Sequence, residues 1–228
     1  MRAELSLLAP KGQGFSQNVM KRLWDISPPV SALSPAFPGD TPYQQHWRWS
    51  ISAECPVNVS EITMSPHIGA HADAPLHYDA TGTAVGHLDL DAFLGPCRVI
   101  HAITGRALIS PEDLLPFLID TPPRVLVRTS VHANLDRWSN DFAAFAPETV
   151  ACLAERGVKL IGLDTPSIDP AISKTLDSHR TILQHNMRVL ENLLLDDVPP
   201  GDYELIALPL ALVDADASPV RAILRELG

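Results

Sequence analysis

Ser65-Pro66-His67-Ile68-Gly69-Ala70-His71-Ala72-Asp73-Ala74-Pro75-Leu76-His77-Tyr78-Asp79 packs three imidazoles and a carboxylate into the eleven positions from His67 to His77. Histidine and aspartate are costly to bury without partners, so a cluster punctuated by glycine and proline reads as a cation site rather than as core. The plain alternative is a polar loop. Fully extended, His67 and His71 would stand ~13 Å apart, too far for both rings to reach one ion. The backbone must therefore turn. Gly69 permits a positive φ at that point, and Pro75 keeps Ala74 out of the helical region. A turn followed by an extended exit gathers His67, His71 and Asp73 and leaves His77 beside them. Three protein ligands make an open, catalytic coordination shell rather than a closed structural one.

Working outward, the two oxygens of Asp73 suit it to bridging a pair of ions, which calls for a second set of ligands. His179 and Glu191, in Asp177-Ser-His179-Arg-Thr-Ile-Leu-Gln-His185-Asn186-Met-Arg-Val-Leu-Glu191, are the best candidates. On one continuous helix they would lie ~18 Å apart along the axis, whereas paired catalytic ions sit ~3.5 to 4 Å apart. The segment is therefore expected to break at Asn186. A helix precedes the break and a short strand follows it, with Met187, Val189, Glu191 and Leu193 on one face. From spacing alone, the pair reads equally as a surface histidine at a helix start and a solvated glutamate.

The 228 residues fit one domain and, at 46% hydrophobic, are long enough to bury a core. A net charge of -10 argues against a nucleic-acid or anionic-membrane partner. No apolar run reaches the ~18 residues that span a bilayer, and no export signal is read in residues 1–16. Cys55, Cys97 and Cys152 have no CxxC spacing and are expected to be reduced, as in a cytoplasmic protein. Residues 1–19 show no periodicity and are expected to form a disordered extension before a domain spanning 20–228.

Strands are expected at 23–27, 47–55, 57–64, 97–103, 124–129, 159–163, 203–213 and 219–224, with 47–55 and 57–64 antiparallel neighbours. One helix should open at Ser110-Pro111, and another should cover 147–156 with Gly157 as its C-terminal cap. The fold class is mixed α/β, strand-rich, in a single domain. Asp164 reads as a turn cap, with orientation of a ligating histidine as the alternative. His46, His87, His101, His132 and His185 show no convergent spacing and are expected to be structural or surface residues.

With these residues in hand, the chain resembles the bacterial kynurenine formamidases, metal-dependent arylformamidases of the cyclase-like hydrolase family. Their motif, roughly His-x-Gly-Thr-His-x-Asp-x-Pro-x-His, is matched by His67-Ile-Gly-Ala-His71-Ala-Asp73-Ala-Pro-Leu-His77, with Ala70 in place of the commoner threonine. Further resembling stretches are Leu23-Trp-Asp-Ile-Ser-Pro-Pro, Phe37-Pro-Gly-Asp-Thr-Pro, Leu160-Ile-Gly-Leu-Asp-Thr-Pro-Ser and Ser218-Pro-Val-Arg-Ala. The likeness runs from about Met20 to the C-terminus, which makes 20–228 a metal-dependent hydrolase domain.

The resemblance implies a swivelling β/β/α fold, a homodimer and a site for two divalent ions, zinc by family habit. By position, His67, His71 and Asp73 would hold the first ion, Asp73 would bridge, His179 would bind the second and Glu191 would contact both. His77 would be the proton donor and acceptor, although a structural role or service as a third ligand also fits its spacing. Phe37 would meet the substrate's ring, with loop packing as the alternative. The implied reaction is hydrolysis of N-formyl-L-kynurenine to L-kynurenine and formate by a metal-activated hydroxide. A related hydrolase acting on another aryl or cyclic amide, such as isatin, is the alternative. Imidazole and carboxylate suit zinc, but manganese, iron and cobalt tolerate the same donors.

Overall fold

The computed structural model describes residues 21–227. The expected extension at 1–19 lies outside them. In chain order the elements are β1 (Leu23–Asp25), β2 (Gln44–Trp49), β3 (Val59–Thr63), β4 (His71–Asp73), the single-turn α1 (Pro75–Tyr78), β5 (Leu94–His101) and β6 (Leu108–Ile109). There follow α2 (Pro111–Leu114), β7 (Arg124–Arg128), β8 (Ala144–Phe145), α3 (Pro147–Ala154), β9 (Leu160–Leu163), α4 (Asp177–Gln184), β10 (Arg188–Glu191), β11 (Gly201–Ile206), β12 (Ala217–Pro219) and β13 (Ile223–Glu226).

Nine strands form one sheet in the order β1-β13-β11-β5-β7-β9-β10-β4-β12. Its centre, β5-β7-β9-β10, is parallel, and the strands on both flanks run antiparallel. Parallel strands are covered on both faces and so read as continuous apolar runs; Leu160–Leu163 is buried at every position. Pro219 and Ile223 are four residues apart, a reach of at most ~14 Å, yet β12 and β13 are seven strands apart in the sheet order. Flat, that separation would be ~34 Å at ~4.8 Å per strand. The sheet therefore curls until its two ends nearly meet.

Curling gives the sheet two cores. The inner one gathers Trp24, Ala72, Phe93, Leu126, Leu160, Leu190, Leu205 and Leu224. On the outer face Val127, Ile161 and Val189 meet Leu114 of α2, Val150 and Leu153 of α3 and Ile182 of α4. Alternation along each strand thus assigns every other residue of β4 and β10 to the helix-covered side.

Most expected elements are present, with shifts that have physical causes. The strand expected at 47–55 begins earlier, at Gln44, and stops at Trp49 beside a register break in its pairing with β3. The strand expected at 203–213 ends at Ile206; Leu208, Leu210, Leu212 and Val213 are exposed and lie beyond the ladder with β5. The strand expected at 219–224 is two strands, β12 and β13, because the chain must turn from one sheet end to the other. α2 is a single turn that opens with a Ser110–Asp113 capping box. Among the described residues no helix is long and apolar enough to cross a membrane, and all three cysteines are free.

Candidate metal centre

β4 is the keystone. His71 and Asp73 are two residues apart, so both project from the helix-covered face while Ala72 between them enters the inner core. Upstream, Gly69 adopts φ 71°, and a Cβ there would approach the Val30 side chain to 2.8 Å, so the turn that delivers His67 requires glycine. Downstream, Ala74 is extended (φ -97°, ψ 157°) and Pro75 opens α1, which carries His77. The expected turn and extended exit are both present. The exit is itself a sheet strand, a placement that only the pairing with β10 and β12 supplies.

The break between His179 and Glu191 also falls where the sequence puts it. α4 ends at Gln184, Asn186 takes φ 51° and β10 begins at Arg188. Glu191 then lies directly across from His71 in the antiparallel ladder, and Val189 across from Asp73. One expected detail is corrected: Leu193 does not share the face of Met187 and Val189. Asn192, at φ 56°, turns the chain after Glu191 and sends Leu193 into the inner core.

Two groups of donors meet at Asp73, each with ligand atoms within 4.8 Å of one another: His67, His71 and Asp73, and Asp73, His179 and Glu191. Asp73 belongs to both. His67 Nδ1 is 3.1 Å and His71 Nε2 3.4 Å from Asp73 Oδ1, while His179 Nε2 is 3.3 Å from Asp73 Oδ2. Glu191 reaches both groups, 3.5 Å from His71 Nε2 and 3.6 Å from His179 Nε2. Its Oε1 also accepts from the Ile168 N–H at 2.7 Å.

The protonation pattern tests whether a cation fits. The Gly69 carbonyl can only accept, so its 2.9 Å contact places the proton on His71 Nδ1 and leaves a lone pair on Nε2. That Nε2 is buried with no hydrogen-bond partner, as is Asp73 Oδ1. Asp169 likewise accepts from His179 Nδ1 at 2.7 Å, which turns the Nε2 lone pair toward the carboxylates of Asp73 and Glu191. Lone pairs converging on carboxylates repel unless a positive charge sits among them. The residues present therefore fit a divalent cation.

The electrostatics of the donors agree. Burial pulls the His67 and His179 imidazoles toward neutrality. Asp73 and Asp216 nevertheless carry His67 up to about 9, and Asp169, Asp73 and Glu191 carry His179 up to about 10. Burial would raise the Asp73 carboxyl, yet hydrogen bonds from His179 and His67 hold it well below its ordinary value. The buried carboxylates thus favour positive charge at this centre.

Asp169 was not singled out from the sequence. It accepts from the Ser178 and His179 N–H groups and from the His179 ring, so it both opens α4 and aims its histidine. Asp164 has the other fate: it accepts from the amides and hydroxyls of Thr129 and Ser130, tying the end of β9 to the end of β7. A second omission is Asp216, whose Oδ2 lies 2.9 Å from His67 Nε2 and 3.1 Å from His77 Nδ1. Asp216 lies 149 and 139 positions from the two rings it touches, and Asp169 lies 9 and 10 positions before Ser178 and His179 in a loop whose path the sequence does not set.

A cavity of about 460 Å³ opens over the site. His67, His77, His179 and Glu191 line its floor side, and Phe37, Trp138 and Phe142 contribute to its wall. Phe37 is half exposed and meets Trp138 edge to face at 5.0 Å. His132, expected at the surface, is exposed and also borders this cavity. His101 is structural, bonded to the Val198 carbonyl at 2.8 Å.

This curled sheet with its histidine and carboxylate centre is the arrangement of a metal-dependent hydrolase. The chain matches the Cyclase family model ("Putative cyclase") over residues 24–170 and belongs to that family. Within it, the chain belongs with the kynurenine formamidases. It is 73% identical over 209 residues to the "Kynurenine formamidase" of Bordetella petrii, covering 92% of this chain and 100% of that protein. Among solved structures, the "predicted metal-dependent hydrolase from Bacillus stearothermophilus" superposes with a TM-score of 0.78 at 26% identity, covering 92% of this chain and 100% of that one. Isatin hydrolase A from Ralstonia solanacearum superposes with a TM-score of 0.77 over 91% of this chain and 92% of its own; at 22% identity the likeness is one of fold.

Proposed function

We propose that the chain hydrolyses N-formyl-L-kynurenine to formate and L-kynurenine at a centre for two divalent ions. His67, His71 and Asp73 would hold the first ion, Asp73 would bridge, His179 would bind the second and Glu191 would contact both. The observation that carries this reading is Asp73 itself, a buried carboxylate whose two oxygens face two separate sets of imidazoles. The identity to the Bordetella petrii kynurenine formamidase supports the substrate. Donors that are all imidazole and carboxylate, without thiolate, favour zinc in a catalytic rather than structural setting.

When bound, such ions supply a hydroxide nucleophile near neutral pH and stabilise developing negative charge on the formyl oxygen. The chain's own residues do the rest. His77 stands beside the donors but outside both groups that share Asp73, with its ring centroid 4.3 Å from that of His67. In this reading it donates a proton to the aniline nitrogen as the carbon–nitrogen bond breaks, which a poor nitrogen leaving group requires. Phe37, braced edge to face by Trp138, offers a ring to the anilide in the cavity wall.

The reading extends to a cytoplasmic homodimer. Trp47 and Trp49 are each 60% exposed and Ile62 56%, on β2 and β3, which among the described residues pair with each other alone. Large exposed apolar side chains on an unpartnered hairpin agree with a protein interface. Three free cysteines agree with a reducing compartment.

Zinc-loaded protein should release L-kynurenine from N-formyl-L-kynurenine and leave isatin intact. Turnover of isatin with none of the formanilide would overturn the substrate assignment and favour the isatin hydrolase alternative.

A further inference from the structure

We infer that Asp216 is a positioning residue for proton transfer, holding His77 in the tautomer and orientation in which its Nε2 faces the substrate. The inference rests on the reading of His77 given above. A carboxylate can only accept, so the 3.1 Å contact between Asp216 Oδ2 and His77 Nδ1 places a proton on Nδ1. Nε2 is then the nitrogen left to exchange a proton with the leaving group. This is the logic by which a carboxylate orients a catalytic imidazole in hydrolytic triads.

Asp216 is well anchored for that task. It immediately precedes β12, which pairs with β4 at Ala217 opposite Asp73, and its carbonyl accepts from the Ala74 N–H at 2.9 Å. The backbone that fixes Asp216 is therefore bonded to the strand that supplies His71 and Asp73 and to the residue that leads into α1. The same Oδ2 lies 2.9 Å from His67 Nε2, which by the same argument carries a proton, so that Nδ1, 3.1 Å from Asp73 Oδ1, is the nitrogen a cation would take. One oxygen thus sets two rings. His67, His77 and Asp216 also form a donor group close enough to hold an ion of their own, which makes the metal count part of the test.

The experiment compares Asp216→Ala, Asp216→Asn, His77→Ala and the Asp216→Ala/His77→Ala double variant as zinc-loaded proteins, with metal content measured by elemental analysis. Two substrates are used: N-formyl-L-kynurenine, whose leaving nitrogen needs a proton, and 4-nitrophenyl formate, whose phenolate does not. Asp216→Ala is expected to lower kcat on the anilide by about 10- to 100-fold and to leave KM and ester turnover within about twofold. With zinc held at saturation, zinc per chain should be unchanged, Asp216→Asn should retain more activity because its amide oxygen still accepts, and the double variant should be no worse than His77→Ala.

Equal losses on both substrates, or loss of an ion, overturn the inference in favour of a role in holding metal through His67. An unchanged anilide rate in Asp216→Ala beside a collapsed one in His77→Ala overturns it outright. If His77→Ala itself keeps the anilide rate, the reading of His77 falls first and this inference with it.

Discussion

Two antiparallel strand pairs in this molecule invert the usual partition of polar and apolar side chains in opposite ways. β2 and β3 hold Trp47, Trp49, Val59 and Ile62 out to solvent. β4 and β10 bury His71, Asp73 and Glu191 to 3% exposure or less. Neither arrangement is stable on its own terms, since exposed tryptophan wastes apolar surface and buried carboxylate lacks water. In the reading proposed above, each pair is defined by what would relieve it, a protein face for the first and a cation for the second. The contrast also separates two parts of the reading, because assembly can be broken at one pair and chemistry at the other.

The largest effect should come from Asp73, which both donor groups share. Asp73→Ala is expected to abolish tight zinc binding and to lower turnover by about 10⁴-fold or more, the scale on which removing an essential member of a catalytic unit acts. Elemental analysis and the kynurenine assay check it, and retention of two zinc ions per chain would break the bridging role. Asp169→Asn should be milder. The His179 ring keeps a hydrogen-bond acceptor but loses its charged partner, so zinc affinity in a chelator competition should fall by about 10- to 100-fold.

At the other pair, Trp47→Ser combined with Ile62→Thr should weaken self-association by about 10-fold or more, the scale for truncating a buried interface tryptophan. Sedimentation would read this as a shift from dimer mass to monomer mass with zinc content intact. A wild-type chain that sediments as a monomer would remove the need for that partner.

The gentlest probe is pH acting on metal-stripped protein. His67 and His179 are raised above the ordinary 6.5 to about 9 and about 10, so the stability their protonated forms contribute is complete below pH 6.5 and lost as pH rises through 9 and 10. Asp73 and Asp169 are shifted below the ordinary 3.8, so their contribution is present above that value and lost as pH falls beneath it. The melting temperature of the stripped protein should therefore decline from pH 6.5 to 10. The gain on adding zinc should grow over the same interval, because the ion displaces those protons. A stripped protein whose melting temperature is flat across that interval would break the link between the protons and the metal.

Much of the site was legible because its constraints are local. The interval from His67 to His77 demanded a turn, Gly69 supplies it at positive φ, and Asn186 ends a helix where the distance between His179 and Glu191 required an end. The parallel strands were legible as apolar runs for the same reason. What escaped was set by partners remote in the chain: Asp216 lies 149 positions from His67, and Leu193 left its expected face because Asn192 reverses after the last ladder pair. The strand expected to run through 213 stopped at Ile206, where its neighbour β5 ran out; Pro209, which cannot donate to a ladder, is the local signal of that end.

By itself, the sequence determined the chemistry of the donors, the two backbone breaks that let them converge, and the family to which the chain belongs. Residue type, glycine and asparagine conformation, and strand periodicity act over a few positions. Only the tertiary structure decided that Glu191 stands across from His71, that Asp169 rather than Asp164 orients His179, and that one oxygen of Asp216 holds both His67 and His77. Those contacts depend on the register and closure of a nine-stranded curled sheet, and register is an agreement between distant segments that neither one encodes alone.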